Sequence, residues 1–231
     1  MKQKIVVLSG AGISAESGIA TFRDSNGLWE QFRIEEVATP EAWHANPELV
    51  QRFYNERRKQ VIESFPNDAH RFFHELESAY EVMIITQNID DLHERAGSKN
   101  TIHLHGNIRF AKSSGPNQEA KYYPIEGWEL TLNDLCDDGY SLRPHVVWFG
   151  EAVPEMERAI EVLSDADYLI VIGTSLNVYP AAGLIHYTSK SCKKIIVDPK
   201  ANELNVDSSF TVLAKSAVAS VPQLRKQFGL S

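Results

Sequence analysis

The sequence predicts an α/β protein built on a doubly wound, Rossmann-like parallel sheet with a smaller inserted domain. Three observations predict this class. Short, nearly continuous apolar runs rich in β-branched residues recur along the chain, as expected of parallel strands covered on both faces. Segments with a helical apolar period lie between them. The first run, KIVVL, is followed at once by GAGISAESG, the kind of glycine-rich strand-to-helix turn that can cradle a dinucleotide.

Taken in order, Lys4 to Leu8 is the first strand, on the strength of Ile5, Val6 and Val7. Gly10, Gly12 and Ala15 have the dinucleotide spacing, in which the glycines allow a tight turn and close approach of the backbone to pyrophosphate. Ser14 to Glu16 would open a helix whose free N–H groups attract phosphate. A tight turn without a ligand gives the same short pattern. An ordinary Rossmann crossover reaches a second strand within about 30 residues. Here TFRDSNGLWEQF follows, and the next strand-like run is VMIIT, Val82 to Thr86. An insertion of that length needs structure of its own.

Within this first insertion, residues 24–64, Asn46 and Pro47 start a helix running to about Ser64. Pro66 and Asn67 start the next, with Phe72, Leu76 and Ala79 as its buried stripe. Ile102 to Gly106 is a third strand, followed by a polar, turn-rich insertion over residues 111–140. Glu155 to Ala166 is a helix with Met156, Ile160 and Leu163 toward the sheet. Tyr168 to Gly173, Lys194 to Asp198 and Phe210 to Ala214 complete the strands. Residues 1–231 therefore read as a single catalytic unit, its Rossmann-like part formed by 1–23, 65–110 and 141–231.

With 231 residues, 43% of them hydrophobic, the chain can bury a full core. Asp and Glu exceed Lys and Arg by 31 to 23, a net charge of −8, which argues against nucleic acid as a partner. Cys136 and Cys192 form no paired motif, so no disulfide framework is expected and a reducing compartment is. No apolar stretch reaches membrane-spanning length, and the N-terminus reads as a core strand. A cytoplasmic protein with no membrane association is expected. The oligomeric state is left open, and a monomer is compatible with the sequence.

Five motifs occur in a fixed order: GAGISAESGIATFR (Gly10 to Arg23), QNID (Gln87 to Asp90), HLHG (His103 to Gly106), LRPHVVWFGE (Leu142 to Glu151) and GTSLNVYPAAGL (Gly173 to Leu184). Together they resemble the sirtuins, over almost the whole chain. The resemblance implies an enzyme, an NAD-dependent protein lysine deacylase acting on acylated-lysine proteins or peptides. NAD is its cosubstrate; nicotinamide, deacylated lysine and O-acyl-ADP-ribose are its products.

The resemblance carries over residue by residue. His105 matches the histidine that deprotonates a ribose hydroxyl after the acyl-lysine carbonyl has displaced nicotinamide. An imidazole suits this work because its ordinary pKa of about 6.5 leaves much of it neutral. Its neighbour His103 reads as structural. Asn88 and Asp90 match residues that line the nicotinamide end and order a water, and Gln87 and Ile89 belong to the same cluster. Asp90 could equally cap a helix beginning at Asp91. The cofactor loop contributes Gly10, Ala11, Gly12, Ile13 and Ala15, then Thr21, Phe22, Arg23 and Trp29. Gly173, Thr174 and Ser175 would approach the adenosine half, with Asp198, Pro199, Lys200 and Ala217 at the ribose and adenine end. Asp198 stands where the family often has asparagine; a carboxylate there would favour NAD over NADP. Val147, Trp148, Phe149, Gly150, Glu151, Asn177 and Val178 match the two strands that sandwich a substrate peptide. Val147, Trp148 and Phe149 also read as core.

Two places distinguish this chain. Most sirtuins hold a structural zinc with two cysteine pairs. Here the corresponding stretches are RFAKSSGPNQ and LCDDGYSLRP, with Cys136 as their one thiol, so no metal site and no zinc are expected. Tyr122, Tyr123, Trp128, Leu130, Leu132 and Leu135 are the candidates for holding the small domain instead. The second place is RFYNERRKQV. Tyr54 and Arg57, three residues apart on one helix face, match the pair by which the malonyl- and succinyl-lysine deacylases of the family recognise an acidic acyl group. Arg52, Arg58 and Lys59 read as a solvated face. ADP-ribosyl transfer or NAD hydrolysis in the same cleft, and a non-catalytic NAD-sensing module, are the alternatives.

Overall fold

The structure, a computed structural model, describes residues 2–20 and 32–230. Strands β1 (Lys4–Ser9), β2 (Glu81–Thr86), β3 (Thr101–His103), β7 (Tyr168–Ile172), β8 (Lys193–Val197) and β9 (Phe210–Leu213) form one parallel sheet in the order β3-β2-β1-β7-β8-β9. Strands β4 (Gly106–Ser113), β5 (Tyr122–Pro124) and β6 (Leu142–Val146) form a separate antiparallel sheet in the order β5-β4-β6. The helices are α1 (Gly12–Ala15), α2 (Ile34–Val37), α3 (Pro40–Ala45), α4 (Pro47–Glu63), α5 (Asp68–Leu76), α6 (Leu92–Arg95), α7 (Met156–Ser164) and α8 (Ala217–Phe228). Among the described residues, no helix is long and apolar enough to cross a membrane.

The apolar runs are continuous because both sheet faces are covered. From β1, Ile5 and Val7 enter a cluster with Phe72, Leu76, Leu224 and Phe228 under α5 and α8. Val6 and Leu8 enter another, with Ala159, Leu163 and Leu184, on the opposite face. All four β1 side chains are fully buried. A third cluster, Val50, Phe53, Tyr54, Val61, Leu92, Ile108, Val146 and Trp148, joins α4 to the small sheet.

Local chemistry sets the helix ends. Asn46 accepts from the Leu49 N–H with Pro47 in the first turn, and Asn67 accepts from the N–H groups of Ala69 and His70. The helix over 47–63 agrees with the sequence reading to within its C-cap. Other expectations need revision. The α5 helix stops at Leu76, so Ala79 lies past its end and is exposed. Of the α7 stripe, Leu163 is buried but Met156 and Ile160 are half-buried, Ala159 taking the central place. The turn after β1 makes a single helical turn beginning at Gly12, not a helix opening at Ser14 to Glu16.

The run read as one strand, Ile102 to Gly106, is divided between the sheets: β3 ends at His103 and β4 begins at Gly106. Gly106 has φ +81, and a Cβ there would lie 2.2 Å from the His145 carbonyl oxygen. Only glycine fits this turn. The small sheet thus draws β4 and β6 from either side of the expected 111–140 insertion.

Arg58 is also not solvated. It is fully buried, donating to the carbonyls of Ile108 (2.6 Å) and Trp128 (2.8 Å) and to Asn55 Oδ1 (2.7 Å). Its fork of donors ties α4 to the small domain, while Arg52 and Lys59 are exposed as expected. Of the six apolar candidates for the small domain, Leu130 is buried and Tyr123 and Leu132 are partly so; Tyr122, Trp128 and Leu135 are exposed. Ala111, Ile125, Cys136 and Leu142 complete the small cluster around Leu130.

Candidate active site

The sheet order reverses beside β1: the chain adds β2 and β3 on one side, then returns to add β7, β8 and β9 on the other. Ligands of open α/β sheets bind at such a switch point, outside the carboxyl ends of the strands. Gly10 and Gly12, after β1, press against Gly173 and Thr174, after β7. Gly10 N donates to Ile172 O at 3.0 Å and Gly12 N to Gly173 O at 2.8 Å. A Cβ on Gly12 would meet Gly173 Cα at 2.7 Å, and one on Gly173, whose φ is +65, would meet Ile13 N at 2.3 Å. These glycines keep the crevice floor thin and its backbone amides close together.

The neighbouring strand end brings the polar groups. Gln87 Nε2 donates across the crevice to Thr174 Oγ1 at 3.2 Å. His105 Nδ1 lies 2.9 Å from the Gln87 carbonyl oxygen, an acceptor only, so Nδ1 carries the proton and Nε2 keeps its lone pair. Burial holds the His105 pKa below the ordinary imidazole value, partly opposed by that carbonyl. His103 reaches the next carbonyl, Asn88 O, at 3.2 Å and pairs with Glu94 at 2.6 Å. Burial disfavours the His103 cation, but Glu94, Asn88 O and Asp90 outweigh it and raise the pKa. The two imidazoles are therefore shifted in opposite directions, His105 toward its neutral form and His103 toward its cation.

Ser14 is the hub that sequence reasoning missed. Its Oγ donates to Asp90 Oδ2 at 2.9 Å and accepts from Asn88 Nδ2 at 3.1 Å. His70 Nδ1 accepts the Asn67 N–H at 3.3 Å, which puts the ring proton on Nε2, 3.5 Å from Ser14 Oγ, the outer limit of a hydrogen bond. His93 Nε2 lies 3.0 Å from Ser9 Oγ, which donates to Thr86 Oγ1 at 2.9 Å; that oxygen accepts the Asn88 N–H at 3.1 Å. Asp90, with Asn88 buried beside it, also accepts from Leu92 N–H at 3.1 Å, so it bonds the first turn of α6, which begins at Leu92 rather than Asp91, while its other oxygen bonds Ser14. Burial raises the Asp90 pKa despite the Leu92 and Ser14 bonds. His70 and His93 gave no local signal, because their partners lie far along the chain; Ser14 lies within the GAGISAESG motif, which pointed to a phosphate turn and not to a hydrogen-bond hub.

Tyr54 and Arg57 share the buried face of α4. Trp148 Nε1 donates to the Tyr54 hydroxyl at 3.1 Å. Burial pushes the Tyr54 phenol up to about 12. Burial lowers the Arg57 pKa, while Tyr54 and Asp90, both within electrostatic range, support its charge. The Arg57 charge thus lies within electrostatic range of Asp90 at the strand end.

The remaining expected residues are distributed around this centre. Ile13 is buried, Ala11 half-buried and Ala15 exposed; Ile89 is half-buried against the third cluster. Ser175 and Asp198 are half-buried, and Asp198 Oδ1 accepts the Lys200 N–H at 2.8 Å, one of its oxygens serving the turn. Pro199 and Lys200 are exposed. Ala217 begins α8 and packs in the first cluster. Phe149, Gly150, Asn177 and Val178 are exposed, and Val147 is half-buried with its N–H on His105 O at 2.9 Å. Trp148 is buried, and Glu151 is turned inward onto Arg143 and the Trp148 N–H. Thr21, Phe22, Arg23 and Trp29 lie outside the described residues.

The Sir2 family pattern matches residues 10–180, a stretch that contains the glycine turn after β1, then β2, the HLHG turn and the β7 end. The chain belongs to the Sir2 family. Among its Sir2 relatives, it is 48% identical over 228 residues to an NAD-dependent protein deacylase of Bacteroides thetaiotaomicron, with 97% of each chain covered. It is 49% identical over 225 residues to the enzyme of the same name from Helicobacter pylori, with 96% of each covered. Among solved structures, a Sir2 homologue in complex with NAD superposes with a TM-score of 0.87 at 39% identity, covering 100% of this chain and 91% of the other. A Sir2 complex with a p53 peptide and NAD+ superposes at 0.81 and 34% identity, covering 100% and 95%. The Sir2 fold, a parallel Rossmann-like sheet with a separate small domain, is the architecture expected from the sequence.

Where Sir2 chains with paired cysteines would hold zinc, Cys136 Sγ donates to Ser113 Oγ at 3.4 Å. Among the described residues, no three His, Cys, Asp or Glu side chains converge on a point that could hold a metal ion. The residues present do not fit a tetrahedral thiolate site.

Proposed function

We propose that this protein is an NAD-dependent protein lysine deacylase that favours acidic acyl groups such as malonyl and succinyl. The observation that carries the deacylase reading is His105, held through Nδ1 by the Gln87 carbonyl, with no hydrogen-bond partner for Nε2 among the described residues. The named activity of the relatives supports it. Bound NAD supplies an electrophilic ribose carbon with nicotinamide as its leaving group. The glycine seam of Gly10, Gly12 and Gly173, with Thr174 and Ser175, would hold the pyrophosphate and adenosine side, and Gln87, Asn88 and Asp90 the nicotinamide side. His105 Nε2 takes the proton of a hydroxyl brought to it. Asn88 and Asp90, fixed by Ser14, orient that hydroxyl or a water rather than moving during the reaction.

Tyr54 and Arg57 support the acyl preference. A guanidinium can fork onto a carboxylate and the phenol can add a donor. An acetyl group offers no carboxylate to either. The small domain is proposed to stand without zinc, held by the cluster around Leu130 and by Arg58.

Product analysis with acetyl, malonyl and succinyl peptides tests the reading. O-acyl-ADP-ribose, formed faster from the acidic acyl peptides, is expected. ADP-ribosylated protein or free ADP-ribose as the main product would assign the cleft to another reaction, and no turnover would make it a sensor.

A further inference from the structure

We propose that Trp148, clamped by Arg143 and Glu151, sets the acyl preference by fixing the Tyr54 hydroxyl as a hydrogen-bond donor. This rests on the acyl-recognition reading above. The indole N–H can only donate, and it donates to Tyr54 Oη at 3.1 Å. That leaves the phenolic proton free of the pair. Among the described residues, no acceptor is placed against that proton, although Tyr54 is only 2% exposed. A buried hydroxyl with its acceptor side occupied and its donor side open is built for a ligand that accepts, such as a carboxylate. Arg57, one turn along α4, supplies the charge such a ligand requires.

The indole is held on every side. The Arg143 guanidinium lies over its ring at 3.5 Å from the centroid. Glu151 grips that guanidinium with both oxygens, at 2.7 and 2.9 Å, and accepts the Trp148 backbone N–H at 2.8 Å. Arg143 also donates to Val146 O at 2.9 Å. Trp43 packs against the indole at 5.8 Å between ring centroids. Arg143 is 3% exposed, and its charge has no solvent to turn to. Glu151, expected from sequence at the peptide, acts instead as the brace behind Trp148. Trp148 and Arg143 are thus positioning residues that act through Tyr54.

The test compares Trp148→Phe, Tyr54→Phe and the double variant, each checked by thermal melting, on succinyl and acetyl versions of one peptide. Each single change is expected to lower the succinyl-to-acetyl ratio of kcat/KM by about 10-fold, the scale of one hydrogen bond to a charged group, with the loss mainly in the succinyl KM. The double variant should fall no further, because both changes remove the same donor. Arg143→Lys, which keeps charge but loses the fork, should shift the ratio the same way and by less, and it serves if Trp148→Phe does not fold. Additive losses, or an unchanged ratio in Trp148→Phe or Arg143→Lys while Tyr54→Phe lowers it, overturn the inference alone. An unchanged ratio in Tyr54→Phe removes the acyl-recognition reading, and this inference with it.

Discussion

Acid should weaken this fold through the histidines beneath the cleft, and His70 allows the effect to be isolated. Its ring is fully buried, and burial, reinforced by Arg71, lowers its pKa from 6.5 to about 3. At pH 7.5 the ring is neutral folded or unfolded and contributes no pH dependence. As pH falls below 6.5 the unfolded chain takes up a proton that the folded one refuses, so stability is lost progressively down to the folded value. At pH 5 the difference amounts to about 2 kcal/mol from this group. A mechanical reason accompanies the electrostatic one: Nδ1 accepts the Asn67 N–H, and a proton there would break the cap of α5. His70→Gln cannot titrate. Urea unfolding of both proteins at pH 7.5 and 5.0 should show wild type losing about 2 kcal/mol more than the variant between the two conditions. Equal losses would refute the reasoning and mean that His70 is hydrated or becomes protonated without resistance.

His105→Ala should reduce O-acyl-ADP-ribose formation by ~10²- to 10⁴-fold while NAD binding, followed by calorimetry, is largely kept; unchanged deacylation would remove His105 as the base. Because burial lowers the His105 pKa and the neutral form is the active one, the acid limb of kcat/KM should fall below the ordinary value near 6.5. A limb at or above that value would mean the ring is not shielded. Arg57→Met should erase the advantage of succinyl and malonyl peptides, chiefly in KM, and spare acetyl peptides; equal impairment on all three would return Arg57 to a structural role. The purified protein should contain no stoichiometric zinc and keep its circular dichroism in a strong chelator, and one tightly held zinc per chain would contradict the proposed zinc-free small domain.

Much of the architecture was legible because its signals are local. The β1 run, the capping pair Asn46 and Pro47, and the glycine turn each act within a few residues, so β1, β2, β7, β8, β9 and α4 emerge from sequence alone. The order of the motifs likewise pointed to the family, and to His105, Asn88, Asp90 and the glycine turns as candidates. Errors fell where a chain segment's fate depends on a distant partner. Gly106 ends what looks like one strand because the His145 backbone leaves no room for a side chain there. Arg58 looks like its solvated neighbours until carbonyls from β4 and the Trp128 loop fold over it. His70 and His93 carry no pattern, and the motif around Ser14 does not reveal its partners, because a hydrogen-bond network is defined by distances across the fold and not by spacing along the chain. Glu151 reads from sequence as a peptide contact, and only the fold brings Arg143 onto both its oxygens. The sequence determined the sheet, the family and the chemical groups available. The tertiary structure decided which of those groups are buried together, because burial and hydrogen-bond partners depend on segments that meet only when the chain is folded: Arg58 under the carbonyls of Ile108 and Trp128, Glu151 on Arg143, and the Trp148 indole on the Tyr54 hydroxyl.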